Sequence, residues 1–166
     1  MIAVCLVSAL TFVFATLFGH VLHWMIHQPW TGRLYRAHRA HHFDLYPPSD
    51  YTSDKYRGAG TDSTVFTFAL LGAPLVLFPA AAGLLGWVPV SWSIACVLTL
   101  LAVGFLNDYI HDSFHLNRHW LHGYDFYKRM DDLHYHHHVD TSKNFGIFLF
   151  VWDRVFGTFE ADKSKK

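Results

Sequence analysis

Two stretches of this chain, residues 1–32 and 63–106, contain no Asp, Glu, Lys or Arg, and all 13 basic residues fall in the blocks 33–62 and 107–166. A helix that crosses a bilayer needs about 20 consecutive apolar residues. The first stretch supplies one such helix, near residues 2–22. The second is too long for one helix and is broken by Gly86-Trp87-Val88-Pro89, so it divides into two, near 64–85 and 90–106. Gly72, Pro74, Pro79 and Gly83 are tolerable within a membrane helix, where neighbouring groups re-satisfy the freed backbone. A cleaved signal peptide would begin with positive charge, whereas this chain starts Met1-Ile2-Ala3-Val4, so the first segment is expected to be retained.

The polar blocks carry an unusual load of imidazole. Histidine accounts for 14 of the 166 residues, and ten of these fall in four spaced groups. They are His23-x3-His27, His38-x2-His41-His42, His111-x3-His115 and His134-x2-His137-His138. Arg33, Arg36, Arg39, Lys55 and Arg57 follow the first span, and Lys163, Lys165 and Lys166 close the chain. The positive-inside rule then places both polar blocks in the cytosol and the Gly86–Pro89 turn outside. All four histidine groups are thereby expected on one membrane face.

On a helix, residues i and i+4 share a face, so His23/His27 and His111/His115 can each aim two rings at one centre. Adjacent residues diverge by about 100°, so the members of His41-His42 and His137-His138 are expected to serve different ions. His38 and His134, three residues earlier, are expected on the face of the first member of each pair. Ten imidazoles exceed what one ion accepts, which points to a dinuclear centre. Imidazole suits iron, zinc, copper and nickel alike, and disfavours magnesium and calcium. A carboxylate-bridged site built from Glu-x-x-His pairs is excluded, since Glu160 is the only glutamate. Asp108, Asp112, Asp131, Asp132 and Asp140 are candidate partners for the second ring nitrogens. His20, His119, His122 and His136 lie outside the spacings and read as non-ligands. Cys5 and Cys96 both fall in expected spans and read as small apolar residues. No phosphate loop, dinucleotide fingerprint, nucleophile elbow or nucleic-acid footprint is present.

The segment Leu34-Tyr35-Arg36-Ala37-His38-Arg39-Ala40-His41-His42 resembles the signature of the membrane-bound fatty acid hydroxylase/sterol desaturase superfamily. The tail strengthens the likeness with His134-x2-His137-His138, then Asn144-Phe145-Gly146, then Trp152-Asp153-Arg154-Val155-Phe156-Gly157-Thr158. The resemblance covers residues from about 19 to 159. It implies an all-α integral-membrane bundle of about three spans with a cytosolic helical cap holding a histidine-rich dimetal site, all in one domain over residues 1–166. It implies His23, His27, His38, His41, His42, His111, His115, His134, His137 and His138 as ligands of two iron ions, with zinc an occupant after purification. It also implies O2, a lipid substrate and a separate electron donor, either a cytochrome b5-like protein or a ferredoxin with its reductase. Two features depart from the family: Trp24 stands where Arg is common, and the chain is short, which leaves room for a homo-oligomer that completes the bundle. The expected activity is hydroxylation of an unactivated C–H bond in a fatty acyl, sphingoid or sterol-type lipid. The alternatives are a lipid desaturase of the same superfamily and a non-catalytic membrane metal-binding or transport protein. A bacterial inner membrane is expected ahead of the endoplasmic reticulum.

Overall fold

A computed structural model describes residues 1–58 and 64–161, with the side chains of 64–70 left aside. Lys163, Lys165 and Lys166 lie outside the described residues. Six α-helices carry the chain: α1 (Ile2–Ile26), α2 (Arg33–Ala40), α3 (Thr64–Leu84), α4 (Val90–Phe114), α5 (Asp125–Val139) and α6 (Val151–Phe156). Among the described residues the extended backbone pairs only once, in an isolated bridge between Ser53 and Leu116. The fold is all-α.

Among the described residues, helices α1 and α4 are the two that are long and apolar enough to cross a membrane, and only 11% of each apolar window is buried within the protein. Leu6, Leu10, Val13 and Leu98 are exposed. An outward apolar face of that extent calls for a lipid surround. In α3 the apolar described part is the shorter Leu71–Leu84, so the third expected span is not established by length. Helix α3 contains Pro74 and Pro79 and packs on α4, which in turn packs on α1. Helices α3 and α4 approach closely at Gly83, where an added Cβ would fall 2.5 Å from Ser93 Cβ. Ser93 donates its hydroxyl to the Pro79 carbonyl at 2.7 Å, a polar tie of the kind that joins membrane helices.

Helices α1 and α4 run on past the expected span ends at 22 and 106, to Ile26 and Phe114, and thereby carry His23 and His111 as continuous helix. The chain leaves α1 at Gln28, extended ahead of Pro29, as the residue before proline prefers. It turns at Gly32 (φ 62°) into α2. Beyond α4 the chain doubles back through α5 and α6. A small core of Phe114, Leu121, Tyr127 and Ile147 packs α5 and the loop before α6 against the end of α4. Trp152 of α6 donates to Thr16 Oγ1 of α1 at 3.1 Å. The two polar blocks therefore meet at one end of the helical bundle.

Candidate metal centre

All four histidine groups converge there, into two clusters of ion-binding size. The first contains His23, His27, His38, His42 and His137, and the second His41, His115, His134 and His138. In each, one nitrogen per residue lies within 4.8 Å of all the others. His111 falls outside both, yet its ring packs on His41 (4.9 Å between centroids), His134 (4.8 Å) and His115 (5.2 Å), at the edge of the second cluster. The clusters adjoin: the ring centroids of His42 and His138, one from each, lie 4.1 Å apart with the planes tilted by 37°.

The expected division of neighbouring histidines occurs. His42 joins the first cluster and His41 the second; His137 joins the first and His138 the second. The expectation for His38 and His134 needs correction. They group with the second member of each pair, not the first: His38 with His42 and His134 with His138. At 3.6 residues per turn, i+4 lies about 40° from i, whereas i+3 lies about 60° away on the other side. The i+4 ring is the closer partner. Around His41 the helix also opens into a π turn, His41–Leu45, closed by Tyr46 N–H donating to the His41 carbonyl at 2.9 Å. Such wide turns cluster at functional sites.

Four of the second ring nitrogens find backbone carbonyls in place of the aspartates expected, and that of His111 finds Asp112. His23 Nδ1 donates to Phe145 O at 2.7 Å, His137 to Lys143 O at 2.5 Å, His138 to Tyr46 O at 2.8 Å, and His115 to Tyr51 O at 3.0 Å. A carbonyl only accepts, so each of these rings carries its proton on Nδ1 and leaves the Nε2 lone pair for an ion. Of the five aspartates, Asp112 approaches a candidate ligand, with Oδ1 3.5 Å from His111 Nδ1. Asp131 instead accepts from Tyr51 at 3.1 Å, and Asp140 is engaged by Ser142.

Those carbonyls are held by groups that spacing alone did not single out. Asp153, fully buried, accepts from the N–H groups of Phe145 (2.7 Å) and Gly146 (2.8 Å) and from the Thr158 hydroxyl (2.7 Å). Asn144 adopts φ 54° and bonds Glu160 N–H and O at 2.9 and 2.7 Å. Both residues lie in the tail motifs, which was the available signal. On the other side Arg57 grips Asp50 through both guanidinium nitrogens (2.6 and 2.9 Å) and the Leu45 carbonyl (2.7 Å). Its own N–H donates to Tyr46 Oη, so segment 46–57 is tied over the second cluster.

The donor set fits metal ions. Nε2 atoms face one another at 2.9 Å (His38–His27), 3.0 Å (His27–His137 and His42–His38), 3.1 Å (His23–His38) and 3.3 Å (His134–His115). Two nitrogens bound to one ion at about 2.1 Å are about 3.0 to 3.4 Å apart for right-angled or tetrahedral neighbours. The Nε2 atoms of His111 and His138 are buried with no hydrogen-bond partner. Left so, each would cost about 1–3 kcal/mol. Burial, reinforced by repulsion among neighbouring rings, holds His38, His41, His42, His115, His134, His137 and His138 well below the ordinary imidazole range. His27 is lowered by the same burial to about 2. Rings so placed stay neutral, which is the ligating form. His119 and His122 lie outside the clusters and cap the short turn Trp120–Gly123.

Against the first cluster lies a cavity of about 540 Å³ between α1, α3, α4 and residues 145–149. Leu75, Leu77, Leu101 and Phe105 line its length, and Phe145 forms the wall shared with the histidines. The Phe145 ring stands 5.8, 5.5 and 5.4 Å from those of His23, His27 and His137. Its volume is that of a small-lipid or drug-sized ligand site.

No curated protein and no solved structure matches the chain. The family model for fatty acid hydroxylase matches residues 8–158, a span that includes every histidine of both clusters, the Asn144–Gly146 segment and Asp153. With an all-α fold, two apolar membrane-length helices and two histidine clusters able to bind metal beside an apolar cavity, the chain belongs to the fatty acid hydroxylase family, metal-dependent membrane oxidoreductases that act on lipids.

Proposed function

We propose that this protein is an O2-dependent lipid hydroxylase working with two iron ions, held by His23, His27, His38, His42 and His137 on one side and by His41, His111, His115, His134 and His138 on the other. The observation that carries the reading is the pair of adjoining imidazole clusters placed against a 540 Å³ apolar cavity. Bound there, the iron pair supplies the one-electron and O2 chemistry that no protein side chain possesses. The chain does the rest. Its imidazoles stay neutral and present Nε2; the carbonyls of Tyr46, Tyr51, Lys143 and Phe145 fix the tautomer and aim of four rings. The apolar walls hold an alkyl segment beside the clusters and keep bulk water away, so that one C–H bond is presented repeatedly in one place.

Charge placement supports a cytosolic metal site, with α3 as a third crossing between α1 and α4. Electrons come from a separate cytochrome b5-like or ferredoxin-type donor, since none of the chain's motifs holds a flavin, haem or iron–sulfur group. The test is lipid mass spectrometry of membranes from cells expressing the protein under isotopically labelled O2. A lipid carrying one labelled oxygen is expected, and it should be missing from cells expressing a variant with both His137→Ala and His138→Ala. Identical lipid profiles for the two would reject the reading.

A further inference from the structure

The apolar cavity is not uniform. At the end nearest the histidines it is lined by Asp108 and Asn107 of α4 and by His20 and Thr16 of α1. Thr16 is engaged, donating to Val13 O and accepting from Trp152. His20 Nδ1 lies 3.7 Å from Asp153 Oδ2. Asp108 differs. It lines the cavity, its Oδ1 is buried, and no hydrogen bond reaches its side chain among the described residues. The histidine one turn along, His111, has Asp112 beside its Nδ1 at 3.5 Å and supplies no hydrogen bond to the buried Asp108 Oδ1. A carboxyl that faces an apolar cavity without a donor is costly unless something else supplies the donor. The lining contains neither Lys nor Arg, so no fixed cation stands ready for a negatively charged head.

We propose that Asp108 receives the hydroxyl of an alcohol-headed lipid, making the substrate class long-chain alcohols and excluding free fatty acids. The inference rests on the lipid-oxidising reading and narrows it. A hydroxyl donates to Asp108 and supplies the donor that its buried Oδ1 lacks. A carboxylate head would place a second acid beside the first in an apolar enclosure, where both cannot ionise without penalty. The seating also fixes the direction of the chain. Asp108 is three residues, about 4.5 Å of helical rise, from His111, while the apolar lining runs away from the clusters along α4 toward Leu101 and Leu100. The carbons nearest the hydroxyl are those presented to the metal centre, and the tail lies deeper in the bundle.

The experiment is equilibrium binding of tritiated dodecanol and tritiated dodecanoate to the purified iron-loaded protein, kept anaerobic so that nothing turns over. Dodecanol should bind at least about tenfold more tightly, the scale of a like-charge mismatch in a buried site. In Asp108→Asn the preference should shrink, because the acceptor remains while the charge is gone. In Asp108→Leu dodecanol should bind more weakly than to the unmodified protein, having lost its acceptor, with iron content unchanged. Asp108→Asn has nearly the same shape and decides the matter if the leucine variant does not fold. Equal binding of the two lipids to the unmodified protein, or an unchanged preference in Asp108→Asn, overturns the proposal. The reading as a hydroxylase fails differently, by absence of iron or of labelled lipid, whatever the binding preference.

Discussion

His137 and His138 are neighbours in the chain, yet their Nδ1 atoms reach carbonyls at opposite sides of the centre, Lys143 and Tyr46, and their Nε2 atoms enter different clusters. Each substitution should therefore empty one side. His137→Ala is expected to leave about one ion per chain, His138→Ala about one, and the double variant none, as read by elemental analysis of purified protein. Loss of both ions in either single variant would show one shared site. Asp153 works at one remove. With two backbone N–H groups and a hydroxyl on a single buried carboxylate, Asp153→Ala should cost about 3 kcal/mol or more in thermal or denaturant unfolding. Metal affinity should fall about 10- to 100-fold as the Phe145 carbonyl loses its place under His23. At Gly146 an added Cβ would meet Leu149 O at 2.4 Å and Asp153 Oδ2 at 2.8 Å. Gly146→Ala should destabilise by about 1–3 kcal/mol in the same unfolding assay.

Helix periodicity explains what could be read in advance and what could not. The pairs His23/His27, His38/His42 and His134/His138 are each four apart, and each pair shares a cluster, because an α-helix returns nearly to the same face after four residues. The divergence of His41 from His42 followed from the same arithmetic. The π turn after α2 did not, since a widened turn leaves no composition signal, and it is this turn that delivers the Tyr46 carbonyl to His138. Deleting the exposed Phe43 should restore ordinary helical register and carry Tyr46 off His138. The expected result is selective loss of metal from the second cluster, with α2 intact by circular dichroism; full retention of metal would deny the turn that role. At four rings a carbonyl stands where an aspartate was expected, for a related reason. Sequence proximity ranks Asp108 and Asp131 near the ligands, but backbone carbonyls of loops remote in sequence arrive first, and Phe145 O lies 122 residues from His23.

Across the whole molecule, the spans of α1 and α4 were legible because a bilayer demands length and apolarity, both visible in composition. The end point of each helix was not, because helix continues into the polar layer wherever ligands require it. The buried neutral imidazoles also set a pH response for the metal-free protein. Their folded-state values lie below the unfolded value of about 6.5, so the unfolded chain takes up more protons as pH falls through about 6.5. Stability should be level above about pH 7 and decline below about 6.5; denaturation of the stripped protein at stepped pH, with unchanged midpoints down to about pH 5, would contradict this. One architectural fact reaches further. Helix α1 is a single unbroken rod from Ile2 in the apolar layer to Ile26 beside His27, and α4 likewise runs from Val90 to Phe114 beside His115. No joint separates the lipid-borne half of either rod from the half bearing ligands. A bilayer that is thicker or thinner than the rods must tilt them or slide them, and any unequal slide is felt as a change in spacing among the rings, which makes membrane thickness itself a tuning variable of the centre.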